Sequence, residues 1–295
     1  MTNNNAPFYN NSVWAYAIAN ALLITCSIVM AALHLAEVPV LEGAPMLITN
    51  AIYSVTLGVA AVAILLVTKQ PVVNALGLRK QAFSGKKLLL LCATVLVLLN
   101  VSVVLNGWFM SVLVNLGFDL PTVSLTTELI KQHPVLTLVA ACILPAINEE
   151  ILFRGLITKG LSQRFGNVAS VLMTGALFAL FHGNPAQTIH QFALGCMLAM
   201  VAISTQSVVL PVIVHFFNNL SALLLALFVE PTGVYDSHGW LIVLLGGALL
   251  AGLAMPFYNQ FKLPQAQVVK MRLGWRDVLL VATAAFSSLL WIGAL

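Results

Sequence analysis

The chain has 295 residues, 60% of them hydrophobic and only 7% charged, with a formal net charge of +4 and a mean hydropathy of +1.00. A soluble domain averages nearer ~45–50% apolar residues, so this composition excludes an ordinary soluble fold and indicates a polytopic membrane protein. The alternation of a closed β-barrel is absent, and basic residues set in loops beside apolar spans point to anionic lipid, not nucleic acid, as their partner.

The first twelve residues are Asn-rich and contain no Lys or Arg, so they lack the basic start of a cleavable signal peptide. Apolar runs then predict about nine helices, at roughly 13–36, 46–68, 88–112, 134–158, 168–183, 186–203, 207–229, 239–259 and 277–295. The class is therefore all-α, a membrane bundle of about eight to nine transmembrane helices. Three parts follow: residues 1–133 with about three spans and a connection, a core over 134–230, and residues 231–295 with about two spans. The connection 113–133 is expected to hold an interfacial helix near Thr127 and Glu128. The turn His182-Gly183-Asn184-Pro185 falls within the membrane depth, where irregular backbone is tolerated only inside protein or against a cavity.

Three loops hold most of the basic residues: Lys69, Arg79, Lys80, Lys86 and Lys87; Lys159 and Arg164; Lys262, Lys270, Arg272 and Arg276. The positive-inside rule places these loops and the N-terminus in the cytoplasm. The opposite loops carry Glu37, Glu42, Asp119, Glu128, Glu230 and Asp236. Trp14, Trp108, Trp240 and Trp275 fall near span ends, as an aromatic belt requires. Cys26, Cys92, Cys142 and Cys196 lie in separate apolar spans without CxxC spacing and read as buried apolar residues. There is no visible internal repeat.

The run Asn148-Glu149-Glu150-Ile151-Leu152-Phe153-Arg154-Gly155 places three charges inside the fourth span. A charge at the centre of a bilayer helix costs roughly 2.5–3.5 kcal/mol on insertion scales, so such groups pair, line a cavity or do chemistry. Glu150 and Arg154 stand at i and i+4 with the acid first, the favourable order for an ion pair. Glu149 points about 100° away and has no partner at helical spacing. The spacing thus predicts that Arg154 neutralises Glu150, while Glu149 stays available as a general base. A purely structural network of all three charges is the competing reading.

Two further sites accompany this run. The fifth span ends in Phe178…His182, and the seventh contains His215 and Asn219 one turn apart on one face. Each could be a packing residue; together they suggest one polar cavity on three helices. Counted from the cytoplasmic span ends, Glu149 and His215 lie roughly 12–14 Å deep and His182 roughly 21 Å. That mismatch requires tilt or a different boundary for the short fifth span. His190, between Gln187 and Gln191, reads as a hydrogen-bonding partner of a neighbouring helix.

The ordered patterns Glu149-Glu150…Arg154, Phe178…His182 and His215…Asn219 resemble those of the CAAX-processing and bacteriocin-processing (CPBP, or "Abi") intramembrane proteases. The resemblance covers about a third of the chain, residues 134–230, and no motif position departs from the pattern. It implies a CAAX-prenyl-protease-like endopeptidase of the bacterial inner membrane, acting on a peptide or membrane-protein substrate. On this resemblance Glu149 and His182 activate water, His215 and Asn219 stabilise the oxyanion, and Glu150, Arg154 and Phe178 support the site. The family is often labelled metalloprotease, and Glu149, His182 and His215 form a donor set that could hold zinc, though His-Glu-x-x-His is absent. A non-catalytic scaffold or immunity-type protein and a proton-coupled transporter are the alternatives; loss of a motif residue would mark the first and repeat symmetry the second.

Overall fold

A computed structural model describes residues 7–35, 44–78, 84–118, 126–270 and 272–294. Among the described residues there is no strand. The predicted spans appear as α1 (Pro7–Leu35), α2 (Pro45–Val67), α3 (Gly85–Asn115), α4 (Pro134–Phe165), α5 (Asn167–Phe181), α6 (Thr188–Thr205), α7 (Val209–Phe228), α8 (Val234–Gln260) and α9 (Trp275–Ile292). Eight of these helices are long and apolar enough to cross a membrane, and α5, with 15 residues, is the short one. The molecule is an all-α polytopic membrane bundle.

Helix starts follow ordinary capping chemistry. Ser84 accepts the Lys87 N–H ahead of α3, and Thr126 accepts the Leu129 N–H at 3.2 Å ahead of the short helix Thr127–Gln132. That short helix is the expected interfacial element. The connecting residues before it, including Asp119, lie outside the described residues, as do Glu37, Glu42, Arg79 and Lys80.

The fourth span is longer than its apolar pattern predicts. It runs through Phe165, so Lys159 and Arg164 belong to its last turns and not to a loop. Tertiary contacts hold this polar end in helix: Lys159 donates to the Ala75 carbonyl, and Arg164 pairs with Asp277 at 3.2 Å, which also accepts from the Tyr9 hydroxyl at 2.7 Å. Gly166 then turns the chain at φ 83°, a left-handed conformation that glycine adopts without strain, and α5 begins at once. Measured from this shared turn, Glu149 and His182 are 16 residues back and 16 residues on. At 1.5 Å per residue both lie roughly 24 Å away, so they stand at one level. The depth mismatch came from the end of α4, not from α5.

Two π-helical turns interrupt α4, at Leu138–Ile143 and Phe153–Ile157. The first immediately precedes Pro145, whose ring would clash with the carbonyl of residue 141 in a regular α-helix. The second follows Glu149 and Glu150; such turns concentrate at functional sites because they re-aim side chains.

The site helices pack tightly. α2 lies along α4, α5 forms a hairpin with α6, and α7 packs against α3, α4 and α6. A Cβ on Gly195 would come within 2.9 Å of the Gly175 Cα, so the α5–α6 crossing brings two backbones together at a point where neither chain has a side chain. By contrast α8 and α9 bury little of their apolar surface inside the bundle, 6% and 11% of the window, and face lipid. Trp14, Trp108, Trp240 and Trp275 are all exposed, consistent with a lipid-facing belt.

Candidate active site

Glu150 and Arg154 form the predicted pair, at 2.7 Å and with both side chains fully buried. Arg154 also donates to the Gly195 carbonyl at 3.2 Å, and its guanidinium carbon lies 4.6 Å from the centre of the Phe178 ring. Phe178, itself fully buried, packs edge-on against the His182 ring at 4.6 Å and the His215 ring at 5.9 Å. The phenylalanine is thus a common wall for the arginine and both histidines.

Spacing on one helix could not show the next contact. His215 Nδ1 lies 2.8 Å from Glu150 Oε1, the same oxygen that receives Arg154. A carboxylate oxygen already accepting from arginine accepts again, so His215 carries a proton on Nδ1. His182 is fixed in the same sense, with Nδ1 donating to the Phe178 carbonyl at 2.7 Å. Gly183, at φ 54°, ends α5 directly after His182 and leaves the imidazole at the open end of the helix. In the neutral rings both Nε2 atoms are therefore acceptors.

Both of these atoms face Glu149. His182 Nε2 and His215 Nε2 each stand 4.0 Å from Glu149 Oε2. That oxygen is buried and makes no hydrogen bond. The structure therefore brings Glu149, His182 and His215 together from three helices, with Glu150, Arg154 and Phe178 behind them. Asn219 lies one turn beyond His215 on α7, and its Oδ1 accepts from Asn218 Nδ2 at 3.1 Å. His190 bonds Asn218 on the neighbouring helix, as its setting predicted.

The donors fit zinc in kind, since both histidines present Nε2 and have Nδ1 held by an oxygen. They do not fit it in spacing. Ligands about 2.0–2.2 Å from a tetrahedral ion stand roughly 3.3–3.6 Å apart, closer than the 4.0 Å seen here. Among the described residues no group of three His, Cys, Asp or Glu side chains is close enough to hold a metal ion. A separation of 4.0 Å does suit two groups bridged by one water at ordinary hydrogen-bond length.

Two features near the site have no motif signal. The Tyr53 hydroxyl on α2 is buried without a hydrogen-bond partner, and its ring stacks on Phe181 at 5.9 Å. An apolar groove of about 400 Å³ runs between α2 and α4, lined by Val55, Gly58, Val59, Val62 and Ile151, with Asn148 beside Glu149 as its polar lining residue. Only pairing across helices reveals either feature.

A membrane-embedded helix bundle that buries an unpartnered carboxylate against two oriented imidazoles is the architecture of an intramembrane hydrolase. Residues 131–221 match the family model described as type II CAAX prenyl endopeptidase, Rce1-like, which bears out the resemblance to CAAX-processing proteases over that segment. No curated protein and no solved structure matches the chain.

Proposed function

We propose that this protein is an intramembrane endopeptidase of the CAAX-prenyl-protease type, with residues 134–230 as its catalytic core. The observation that carries this reading is the approach of both Nε2 atoms to the one unpartnered oxygen of Glu149, each at 4.0 Å. A water between Glu149 and His182 donates one hydrogen to each and keeps a lone pair for attack. Glu149 takes the proton as the oxygen bonds to the scissile carbonyl carbon. The resulting oxyanion is held by the Asn219 amide and by His215 Nε2 when that ring carries both protons. Glu150, accepting from His215 Nδ1, supports that cation, and Arg154 offsets the second carboxylate. Glu149 then passes its proton to the departing amine as the C–N bond breaks, leaving a free carboxylate and a new amine.

The substrate is a peptide or a segment of a membrane protein, and the apolar groove beside Asn148 suits an apolar chain entering from lipid. The basic loops face the cytoplasm and anionic headgroups, with the N-terminus on the same side, as in a bacterial inner membrane.

The test needs no prior choice of substrate. New peptide termini are compared in membranes from cells expressing the wild type or Glu149→Gln at matched levels. Termini that depend on Glu149 are expected. Their absence with both proteins folded would overturn the reading in favour of a binding scaffold.

A further inference from the structure

Beside the catalytic set stands a second chain of polar side chains. His190 and Asn218 are 7% and 3% exposed, a depth at which polar groups need a reason to be present. His190 Nε2 is 3.1 Å from Asn218 Oδ1, and Asn218 Nδ2 is 3.1 Å from Asn219 Oδ1. The start of α6 that carries His190 is tied down from another helix: the Ile189 N–H donates to Asn106 Oδ1 on α3 at 3.1 Å.

The direction of this chain is set by its first member. Asn218 Oδ1 is an acceptor, so His190 Nε2 must carry the hydrogen. Its Nδ1 is buried with no partner. A bare ring nitrogen tolerates that better than a buried N–H, which is rarely left orphaned in folded proteins. The tautomer is therefore fixed, and it orients the Asn218 amide. The NH2 of Asn218 in turn occupies Asn219 Oδ1. Flipping Asn219 would set two NH2 groups against each other. The only donor of Asn219 is thus turned away from Asn218 and left free, one turn from His215 on the same face of α7.

We propose that His190 and Asn218 are positioning residues that hold the Asn219 amide with its NH2 toward the oxyanion. This rests on the proposed peptidase reaction. The relay explains why an otherwise apolar helix pair buries an imidazole and an amide: a freely flipping asparagine would present its carbonyl oxygen to the oxyanion half of the time.

The experiment uses the full-length protein in detergent and a fluorogenic farnesylated peptide ending in a CAAX sequence. Asn219→Ala is expected to lower kcat by about a hundredfold, the usual loss of one oxyanion donor. His190→Leu should lower kcat by about tenfold with KM unchanged, and it should have no further effect in the Asn219→Ala background. A structural role predicts instead that the two losses multiply, and that result would overturn the proposal. If His190→Leu fails to fold, His190→Gln and His190→Asn decide. The glutamine NH2 reaches the position of Nε2 and should retain activity, whereas the shorter asparagine should not. Equal activity of the two would also overturn it. A wild type without Glu149-dependent cleavage of the probe or of membrane proteins removes the peptidase reading itself; an active wild type indifferent to His190→Leu removes only the relay.

Discussion

One carboxylate oxygen, Glu150 Oε1, receives both Arg154 at 2.7 Å and His215 at 2.8 Å, while Glu150 Oε2 is buried and receives nothing. The ion pair on α4 and the histidine on α7 are therefore one unit. A group that merely neutralised a buried charge would not need the imidazole, and a group that merely oriented the imidazole would not need the arginine.

The first prediction separates stability from chemistry at this unit. Arg154→Ala leaves Glu150 buried with only His215 and should destabilise the fold by about 3–5 kcal/mol, the usual cost of breaking a buried pair. Thermal unfolding in detergent measures it. Replacing Glu150 and Arg154 together by Leu and Met should recover much of the stability yet leave cleavage low, because His215 Nδ1 then has no oxygen to hold it. Recovery of cleavage in the double variant would show that Glu150 has no orienting role.

Glu149→Gln tests the opposite case. The side chain makes no hydrogen bond through Oε2, so its removal as a base should shift stability by less than about 1 kcal/mol. Cleavage should fall by at least about 10²–10⁴-fold. Unfolding comparable to that of Arg154→Ala would return Glu149 to a structural network.

Metal dependence follows from spacing. At 4.0 Å the two imidazoles stand too far from Glu149 for tetrahedral zinc ligation. Incubation with 1,10-phenanthroline, followed by dialysis, should leave the cleavage rate unchanged. Loss of activity restored by added zinc would show that the three side chains close around an ion.

Gly175→Ala probes the crossing that carries the Gly195 carbonyl to Arg154. The new Cβ would meet the Phe192 carbonyl oxygen at 2.9 Å and the Cys196 sulfur at 2.4 Å. Overpacking of this kind costs about 1–3 kcal/mol. A lowered unfolding temperature is expected, with a fall in activity as α6 shifts. An unchanged temperature would mean that the two helices separate easily.

How much of the site was legible depended on whether partners shared a helix. Glu150 with Arg154, and His215 with Asn219, are one turn apart, so helix geometry alone aligned them. The bonds from His215 to Glu150 and from His190 to Asn218 join residues 65 and 28 positions apart, and no periodicity encodes them. The extra turns of α4 were hidden for the same reason. Thr158 through Phe165 reads as polar loop, and its helix is held by Ala75, Tyr9 and Asp277 from distant segments.

Composition and hydrophobic run length by themselves determined a membrane bundle, the number of its helices and the ionisable residues inside it, because lipid admits only long apolar helices and makes buried charge costly. Tertiary structure alone decided the common level of Glu149 and His182, the tautomers of three histidines and the 4.0 Å separations around Glu149. Those depend on how helices cross and on which side-chain atom meets which, and such distances arise only when the helices pack.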